Sequence, residues 1–404
     1  MAPLAGRRVV LAVCGGIAAY KAVEVLRRLS DGGALVSPIL TDGATRFVTP
    51  LTFSALAHEP ALTSLWDGPD PIPHTRLGQA ADVVVVAPAT ASVLGRYAAG
   101  ISDDLVTATL LATRAPVVVA PAMHTEMWEH PATRANLDVL RGRGVHVVEP
   151  GVGRLAGGDA GPGRLAEPAE IVRAVERLFS SRDLEGYTVL VSAGGTREPL
   201  DPVRFIGNRS SGKMGNAVAA AALLRGARVI LVTTADGGPS GVERVEVETA
   251  AEMGDAVLSR FDDCDAVVMA AAVADFRPAA PAAAKIKKDT GPPQVRLEPT
   301  LDILSEMGRR KRHQVLVGFA AETEDPALRG AQKRERKNAD FIVANLVGAP
   351  DTGFGTETNR AWIAGPDGVD DLGMTSKVDL ADGILDRVAK ALVLDGGPAS
   401  RRPA

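Results

Sequence analysis

A stretch at residues 191–215 combines glycines, hydroxyl side chains and a lysine in an order suited to holding phosphate. It follows an apolar run that predicts a buried strand, and it leads into an alanine-rich helix. Free backbone N–H groups at a helix start attract anions, and glycines let a ligand approach the chain closely. The predicted phosphate loop comprises Gly194, Gly195, Ser210, Ser211, Gly212 and Lys213. Its spacing matches neither the Walker loop nor the dinucleotide fingerprint, and an ordinary strand-to-helix turn is the alternative.

Two lysine groups in the same half of the chain suit a polyphosphate. Lys285 lies in a short basic run, and Lys333 and Lys337 are four residues apart, so that they share one face of a predicted helix. Lysine ammonium groups act as point charges toward phosphate. The alternative is a solvated basic loop and helix without a ligand.

A histidine in a proline-containing loop is a candidate for proton chemistry. His74 directly follows Pro73 and precedes the helix that leads to the Val83–Val86 run. Because imidazole titrates near neutral pH, His74 could act as an acid, a base or a positioning group, or it could simply be exposed. The histidines show no HExxH or CxxC spacing, so we predict no structural metal and no metal ligands can be named.

Small and hydroxylated residues follow the predicted strands of the N-terminal half. Ligands of doubly wound sheets bind beyond the carboxyl ends of the strands, so these residues predict a cofactor site. The second strand ends in Leu40-Thr41, without the acidic residue that holds a nicotinamide ribose, which favours FMN over a dinucleotide. The residues assigned to FMN are Gly15, Gly16, Ile17, Thr41, Ala89, Thr90, Ala91 and Ser92.

Strands alternate with helical patterns throughout the chain, which predicts an α/β fold. The predicted strands are 7–13, 34–40, 82–87, 116–120, 145–148, 187–191, 228–234, 243–248, 265–270, 315–319 and 340–344. We predict two doubly wound parallel-sheet domains, the first flavodoxin-like and the second Rossmann-like, over residues 1–180 and 181–404. Residues 396–404 read as a disordered tail.

The composition excludes several classes of protein. The 404 residues are 46% hydrophobic and 23% charged, with a net charge of −4, so neither disorder nor nucleic-acid binding is expected. No apolar run approaches the roughly 20 residues of a membrane span, and no signal-peptide pattern is seen. Cys14 and Cys264 are the two cysteines, both inside apolar runs. We therefore expect a cytoplasmic protein without disulfides.

Several of these segments resemble known families. The Gly15-Gly16-Ile17 loop, His74 and the segment at 88–92 resemble flavin-dependent cysteine decarboxylases, as do the substrate segment 121–128 and the lid 153–165. Residues 192–215 closely resemble phosphopantothenate–cysteine ligase. In this order, and over nearly the whole chain, the sequence resembles the bifunctional bacterial enzymes of coenzyme A biosynthesis.

The resemblance implies two reactions on two sets of residues. A ligase would join 4′-phosphopantothenate to L-cysteine through an acyl-cytidylate made from CTP, with Mg²⁺ assisting. Asn208 would hold the intermediate and Lys285 would stabilise the charge on the phosphates. The residues assigned to CTP are Met269, Ala270, Ala271, Asp275, Lys285, Leu301, Asp302, Ile303, Leu304, Phe319, Lys333 and Lys337.

The second implied reaction is an FMN-dependent decarboxylation to 4′-phosphopantetheine, with His74, Met123 and His124 on the substrate. The resemblance also implies a homo-oligomer with active sites between subunits. Two residues depart from the family pattern: His124 replaces an asparagine that grips the substrate carboxylate, and Gly157 replaces a lid cysteine that donates a proton. These departures keep open a flavin-binding regulatory protein that has lost decarboxylation, and a nicotinamide oxidoreductase is a further alternative. For residues 151–165 the alternative to an ordered lid is a glycine-rich flexible linker.

Overall fold

The computed structural model describes residues 3–66, 70–155, 157–158, 160–287, 294–347, 356 and 358–394. The chain forms two compact units, Met1–Ser180 and Ser181–Ala404. The tail at 396–404, for which the sequence predicts disorder, lies outside the described residues.

The first unit is built on a parallel sheet. Its strands are β1 Arg8–Val13, β2 Leu35–Leu40, β3 Val83–Ala89, β4 Val117–Pro121, β5 His146–Val147, β6 Gly151–Arg154 and β7 Ala160–Arg164. Its helices are α1 Ala22–Asp31, α2 Asp42–Thr45, α3 Pro50–Ser54, α4 Pro73–Ala80, α5 Ala91–Ala99, α6 Leu105–Ala112, α7 Thr125–Glu129, α8 Pro131–Gly142 and α9 Pro168–Phe179, with a 3₁₀ turn at Ile17–Lys21. The strand order is β2-β1-β3-β4-β5, which is the flavodoxin-like order, and β6 and β7 form a separate antiparallel hairpin.

Both faces of this sheet are covered by helices. Val83 and Val85 of β3 pack with α1 and α9, whereas Val84 and Val86 pack on the opposite face with α5, α6 and α8. Every residue of β3 is buried, which explains its continuous apolar sequence.

The second unit contains a larger mixed sheet. Its strands are β8 Thr188–Ala193, β9 Arg197–Pro199, β10 Phe205–Gly207, β11 Arg228–Thr233, β12 Glu243–Glu246, β13 Ala266–Met269, β14 Phe276–Pro278, β15 Leu297–Pro299, β16 Val315–Glu322, β17 Phe341–Leu346, β18 Thr358–Gly365 and β19 Gly368–Ser376. Its helices are α10 Lys213–Leu224, α11 Ala250–Leu258, α12 Ile303–Arg310, α13 Pro326–Lys337 and α14 Lys377–Leu394, with a 3₁₀ turn at Phe261–Asp263.

The strand order is β12-β11-β8-β13-β16-β17-β18-β19. The part from β12 to β17 is parallel and has the Rossmann order, so the predicted fold class is confirmed. The antiparallel pair β18 and β19 extends the sheet and was not predicted. In each unit the strand order reverses beside the first strand, β1 or β8, which is where such sheets bind ligands.

Candidate functional site

The glycine pair after β8 has a structural role that the sequence prediction did not assign to it. Gly194 has a φ of 87°, and a Cβ there would lie 2.2 Å from the Thr234 Oγ1. A Cβ on Gly195 would lie 2.5 Å from the Asn208 carbonyl oxygen. Neither glycine lines the cavity described below. These glycines therefore allow the loop to pack against neighbouring backbone, rather than letting a ligand approach.

The rest of the predicted phosphate loop does line a cavity, of about 960 Å³, beyond the carboxyl ends of β8 and β13. Ser210, Ser211 and Gly212 precede α10, which begins at Lys213 and has Gly212 as its N-cap with a φ of 74°. A Cβ on Gly215, one turn into the helix, would lie 2.5 Å from the Ala193 Cβ. Glycine here thus lets the N-terminus of α10 lie directly against the end of β8.

Asn208 lines the cavity and contacts the segment that follows β13. Its side-chain amide donates a hydrogen bond of 3.0 Å to the carbonyl oxygen of Val273. Two buried hydroxyls fix the same segment, because the backbone N–H of Ala271 donates to Ser192 and that of Ala274 donates to Thr196. The loop after β8 and the loop after β13 are therefore held together by side-chain hydrogen bonds.

The lysines of α13 lie where the sequence predicts, but each has a protein partner. Lys337 pairs with Asp302, which caps α12 by accepting from the Ser305 N–H at 3.0 Å. Burial raises the pKa of Asp302, but the hydrogen bond and charge of Lys337 outweigh this and hold it below its ordinary value. Lys333 donates to the carbonyl oxygen of Phe319 at 2.7 Å. Burial, and next the charge of Lys337, lowers the pKa of Lys333.

All but one of the residues assigned to CTP line this cavity. They are Met269, Ala270, Ala271, Asp275, Leu301, Asp302, Ile303, Leu304, Phe319, Lys333 and Lys337. Lys285 is the exception: it is exposed, in the loop that follows β14. That loop is anchored at the next residue, since the backbone N–H of Ile286 donates to buried Asp201 at 3.2 Å.

Part of the lining of this cavity was not predicted from the sequence. Asn345, Asn359 and Lys377 are all buried and line the cavity from β17, β18 and α14. Asn345 is one residue beyond the predicted strand 340–344. Ligands of such sheets bind at the carboxyl ends of the strands, so this position was a signal that could have identified Asn345. Neither Asn359 nor Lys377 was assigned to the site from the sequence, because the hairpin that carries them to the cavity was not predicted.

The charge of the cavity suits an anionic ligand. Among the described lining residues the cations are Arg209, Lys213, Lys333, Arg336, Lys337 and Lys377, and the carboxylates are Asp275 and Asp302. Cations therefore outnumber carboxylates by six to two. A cavity of this size with a strong positive excess can hold a ligand that carries several phosphate groups.

A second cavity, of about 740 Å³, lies within the first unit. Of the residues assigned to FMN, Gly15, Thr41, Thr90 and Ser92 line it, whereas Gly16, Ile17, Ala89 and Ala91 do not. Thr90 caps α5 by accepting from the Val93 N–H at 3.4 Å, so its hydroxyl lies at a helix N-terminus.

Arg96 adds an unpredicted cation to this cavity. It pairs with Asp103 and Asp104 at 2.8 Å each, and its buried Nε has no hydrogen-bond partner within the described part of the chain. The described lining also carries three carboxylates, Asp42, Asp103 and Asp104, so its net charge does not favour an anion. The features that suit a phosphorylated flavin are the hydroxyls at the helix start and the guanidinium N–H without a partner.

His74 is not brought into the second cavity. It lies in the first turn of α4 and is half-buried, and it is not a lining residue. Its buried Nδ1 has no hydrogen-bond partner among the residues that the structure describes. A buried ring nitrogen without a partner can still bind another molecule.

The predicted lid is an ordered hairpin packed on the substrate segment. The Met123 N–H donates to the Gly163 carbonyl oxygen at 2.9 Å, and the Thr125 hydroxyl donates to the Pro162 carbonyl oxygen at 2.8 Å. A Cβ on Gly161 would lie 2.3 Å from the Thr125 Oγ1. The flexible-linker alternative for residues 151–165 is therefore wrong for the strands β6 and β7. Gly157 is exposed in the turn between them.

His124 lies at the N-cap of α7, next to Met123, where the substrate segment was predicted. Its Nδ1 contacts the carboxylate of Glu126, and its side chain is 40% exposed. Met123 and His124 do not line the second cavity, and neither does His74.

The described residues contain neither a membrane-spanning helix nor a cluster of metal ligands. No helix there is long and apolar enough to cross a membrane. Within the same ranges, no group of three or more His, Cys, Asp or Glu side chains could hold a metal ion.

Comparison with known proteins gives matches along most of the chain. The family model "Flavoprotein" matches residues 2–180, and the model "DNA/pantothenate metabolism flavoprotein C-terminal domain" matches residues 184–392. The coenzyme A biosynthesis bifunctional protein CoaBC of Mycobacterium tuberculosis H37Rv is 48% identical over 96% of this chain and 97% of its own length. The protein of that name from Bacillus subtilis is 46% identical over the same two shares. A solved structure of the C-terminal domain of a CoaBC protein is 38% identical, with a TM-score of 0.46, and the match covers 53% of this chain and 99% of that one.

Proposed function

The chain belongs to the CoaBC family of bifunctional coenzyme A biosynthesis proteins, and we propose on this premise that it ligates 4′-phosphopantothenate to L-cysteine with CTP and then decarboxylates the product. The family resemblance seen in the sequence is thereby confirmed, together with the pairing of a ligase with a decarboxylase. The assignment of decarboxylation to residues 1–180 and of ligation to residues 181–404 is part of the proposal. The observation that carries it is the cationic cavity around Asn208, at the strand reversal of the second unit.

The ligase cavity has to make a carboxylate reactive. A carboxylate is a poor acylating agent, so its oxygen first attacks the α-phosphate of CTP and pyrophosphate leaves. The cations of the lining offset the negative charge that gathers on the phosphates. The amide nitrogen of Asn208 carries two hydrogens, and one is donated to Val273. The other can donate to the acyl oxygen of the intermediate when the amine of cysteine attacks.

Mg²⁺ belongs to the proposal as a companion of the nucleotide. Magnesium is commonly held by one or two carboxylates together with substrate phosphates, rather than by a cage of protein ligands. Asp275, exposed at the cavity, is the carboxylate we propose to hold it, because Asp302 is paired with Lys337. When bound, the ion would neutralise phosphate charge.

The flavin, which we propose to be FMN, would supply the oxidation and return of electrons that let carbon dioxide leave a cysteine-derived carboxylate. Thr90, Ser92 and Arg96 would hold its phosphorylated side chain. His74 would position the substrate and move its protons. The imidazole of His124, in place of the family asparagine, can still donate a hydrogen bond to a carboxylate.

A homo-oligomer would explain where His74 lies. In a single chain His74 does not line the second cavity, which we call the FMN cavity. Its ring nitrogen Nδ1 is nevertheless buried, without a hydrogen-bond partner among the described residues. Large apolar side chains are exposed in the same unit, Trp66 at 87% and Leu51 at 76%. We propose that a second copy covers this surface and that the decarboxylase site forms between subunits. The cytoplasmic location stays a prediction.

One mixture tests both halves of the proposal. The purified protein is given phosphopantothenate, cysteine, CTP and Mg²⁺, and pyrophosphate and carbon dioxide are both followed. We expect equal amounts of the two. Pyrophosphate without carbon dioxide from a yellow protein would favour the regulatory alternative for the first unit. A colourless protein that responds to NAD(P)H would overturn the flavin assignment.

Lys285 provides a separate test of the ligase residues. Although it is exposed outside the cavity, we keep the prediction that it binds substrate phosphate, and we expect Lys285→Ala to lower ligation about tenfold or more. Pyrophosphate release should be compared with that of Lys287→Ala, an exposed lysine of the same loop. An unchanged rate in Lys285→Ala would remove this residue from the active site.

Gly163 tests the packed lid. A Cβ at this position would lie 2.2 Å from the Met123 carbonyl oxygen, and the φ of 133° is unfavourable for any other residue. Strain of roughly 1–3 kcal/mol should displace the hairpin, so Gly163→Ala should lower decarboxylation about tenfold. The measurement is carbon dioxide release, with ligation as the internal reference. The control is Gly151→Ala in the same hairpin, where a Cβ meets nothing closer than 3.9 Å. Equal effects of the two variants would contradict the prediction.

A further inference from the structure

Lys377 is a buried cation at the ligase cavity. It is the first residue of α14, it is 6% exposed, and it lines the same cavity as Asn208. Its ammonium group donates to the carbonyl oxygen of Thr356. An ammonium group carries three hydrogens and a full positive charge, which suits it to bind phosphate oxygens.

The unpredicted hairpin fixes the position of this lysine. Thr358 of β18 pairs with Ser376 of β19, so Lys377 follows the last ladder pair directly. On β17, Asn345 pairs with Ala361 of β18, and Asn359 is two residues before Ala361 and therefore on the same face. Both asparagines are buried and line the cavity. The hairpin thus brings Lys377 and two buried amides to one wall.

Two helix N-termini line this cavity. Helices α10 and α14 pack together in one core, which contains Ala222 of the first and Leu380 of the second. They begin at Lys213 and Lys377, and both lysines line the cavity. The partial positive charge of a helix N-terminus adds to the ammonium charge at each of these places.

The two half-buried lysines of α13 have contacts of a different kind. The charge of Lys337 is neutralised by Asp302. Burial lowers the pKa of Lys333, and its ammonium group donates to the carbonyl oxygen of Phe319. At Lys377 the cavity wall also carries two buried amides and a helix N-terminus, so a phosphate group there would meet donors from several residues. A cation that is already desolvated interacts with phosphate more strongly than an exposed lysine does.

We propose that Lys377 binds a phosphate group of one of the two phosphorylated substrates of ligation, a role that rests on the proposed ligase function and adds a residue to it. Both the nucleotide and phosphopantothenate carry phosphate, so the chemistry of the contact is the same for either. Which substrate supplies that phosphate is decided by the experiment.

The test compares Lys377→Met, which keeps the length of the side chain and removes the charge, with Lys377→Arg, which keeps the charge. KM is measured for CTP, phosphopantothenate and cysteine in turn, with the other two saturating. In Lys377→Met we expect KM to rise about tenfold or more for CTP or for phosphopantothenate, with KM for cysteine unchanged and partial recovery in the arginine variant. The substrate whose KM rises identifies the source of the phosphate. Lys390→Met, an exposed lysine on the same helix, is the control.

Two outcomes would overturn the proposal. KM values within about twofold of the wild type for both phosphorylated substrates would show that Lys377 carries no phosphate contact. A rise for all three substrates together with a lower melting temperature, not recovered by arginine, would show a structural role only.

A binding measurement separates this proposal from the ligase assignment. The affinity of the whole protein for inorganic tripolyphosphate is measured by calorimetry, which requires no turnover. If the wild type fails to ligate, the proposed function fails, while a tenfold weaker affinity in Lys377→Met still supports the phosphate contact. Equal affinities, or no binding by either protein, would overturn it.

Discussion

Replacing Asn208 with alanine is expected to lower CTP-dependent ligation at least about 100-fold and to leave decarboxylation unchanged. The reason is geometric: the Asn208 amide spans from the Val273 carbonyl oxygen, 3.0 Å away, to the cavity where the acyl group would lie. Alanine removes both donors. Pyrophosphate release from phosphopantothenate, cysteine and CTP measures the loss, and carbon dioxide release from phosphopantothenoylcysteine is the internal reference.

The aspartate variant separates donor loss from loss of volume. Asn208→Asp has nearly the same shape but presents acceptors where the amide donates, so it should be impaired at least as strongly as the alanine variant. If either variant ligates at close to the wild-type rate, Asn208 does not support the acyl intermediate.

Replacing His74 with asparagine is expected to lower decarboxylation at least about 100-fold while flavin stays bound. His74 does not line the FMN cavity, so its loss should not remove the cofactor's contacts. Asparagine keeps a hydrogen-bonding side chain but cannot take up and release a proton near neutral pH. Carbon dioxide release from phosphopantothenoylcysteine and the flavin absorbance of the purified protein are the two measurements.

The matched control is His146→Asn. His146 is an exposed histidine of β5, the edge strand of the sheet in the same unit. It should decarboxylate normally. A colourless His74→Asn protein would instead assign His74 a structural role, and undiminished carbon dioxide release would exclude it from catalysis.

The sequence predicted the parallel strands well because their burial leaves a simple signal. Strands such as β3 and β13 are buried on both faces and read as continuous apolar runs. The predicted starts and ends of these strands are close to those observed. The hairpin of β18 and β19 has no such signal, since most of β19 is exposed or half-buried and polar. Its pairing with β17 depends on contacts distant in the sequence, which local patterns do not encode.

The site was predicted where chemistry and strand ends coincide, and missed where it depends on tertiary packing. Ser210, Lys213 and Asn208 lie in one local segment, so their types and order were informative. Lys377 reaches the same cavity from the far end of the chain. Gly194 was assigned to ligand approach, but its positive φ and its contact with Thr234 serve the packing of the loop. A glycine in a sequence indicates that other atoms lie close to the backbone there, but it does not indicate whether those atoms belong to a ligand or to the protein.

The two departures from the family pattern occupy different settings. His124 stands at the start of α7, in the segment on which the hairpin of β6 and β7 packs. Gly157 is exposed at the turn of that hairpin. The proton that a cysteine would supply must come from another group, and His74 and water are the candidates we propose.

The order of strands in the second unit has a consequence for how the protein is made. β8 is the first strand of this sheet to be synthesised and lies inside it. The core that contains Val189 of β8 also contains Leu392 of α14, which is synthesised about 200 residues later. The first unit, by contrast, is complete within its own contiguous 180 residues. During synthesis the first unit can therefore fold while the second unit is still being translated. The cavity of the second unit, whose wall includes Lys377, can assemble only after the residues up to the start of α14 have emerged.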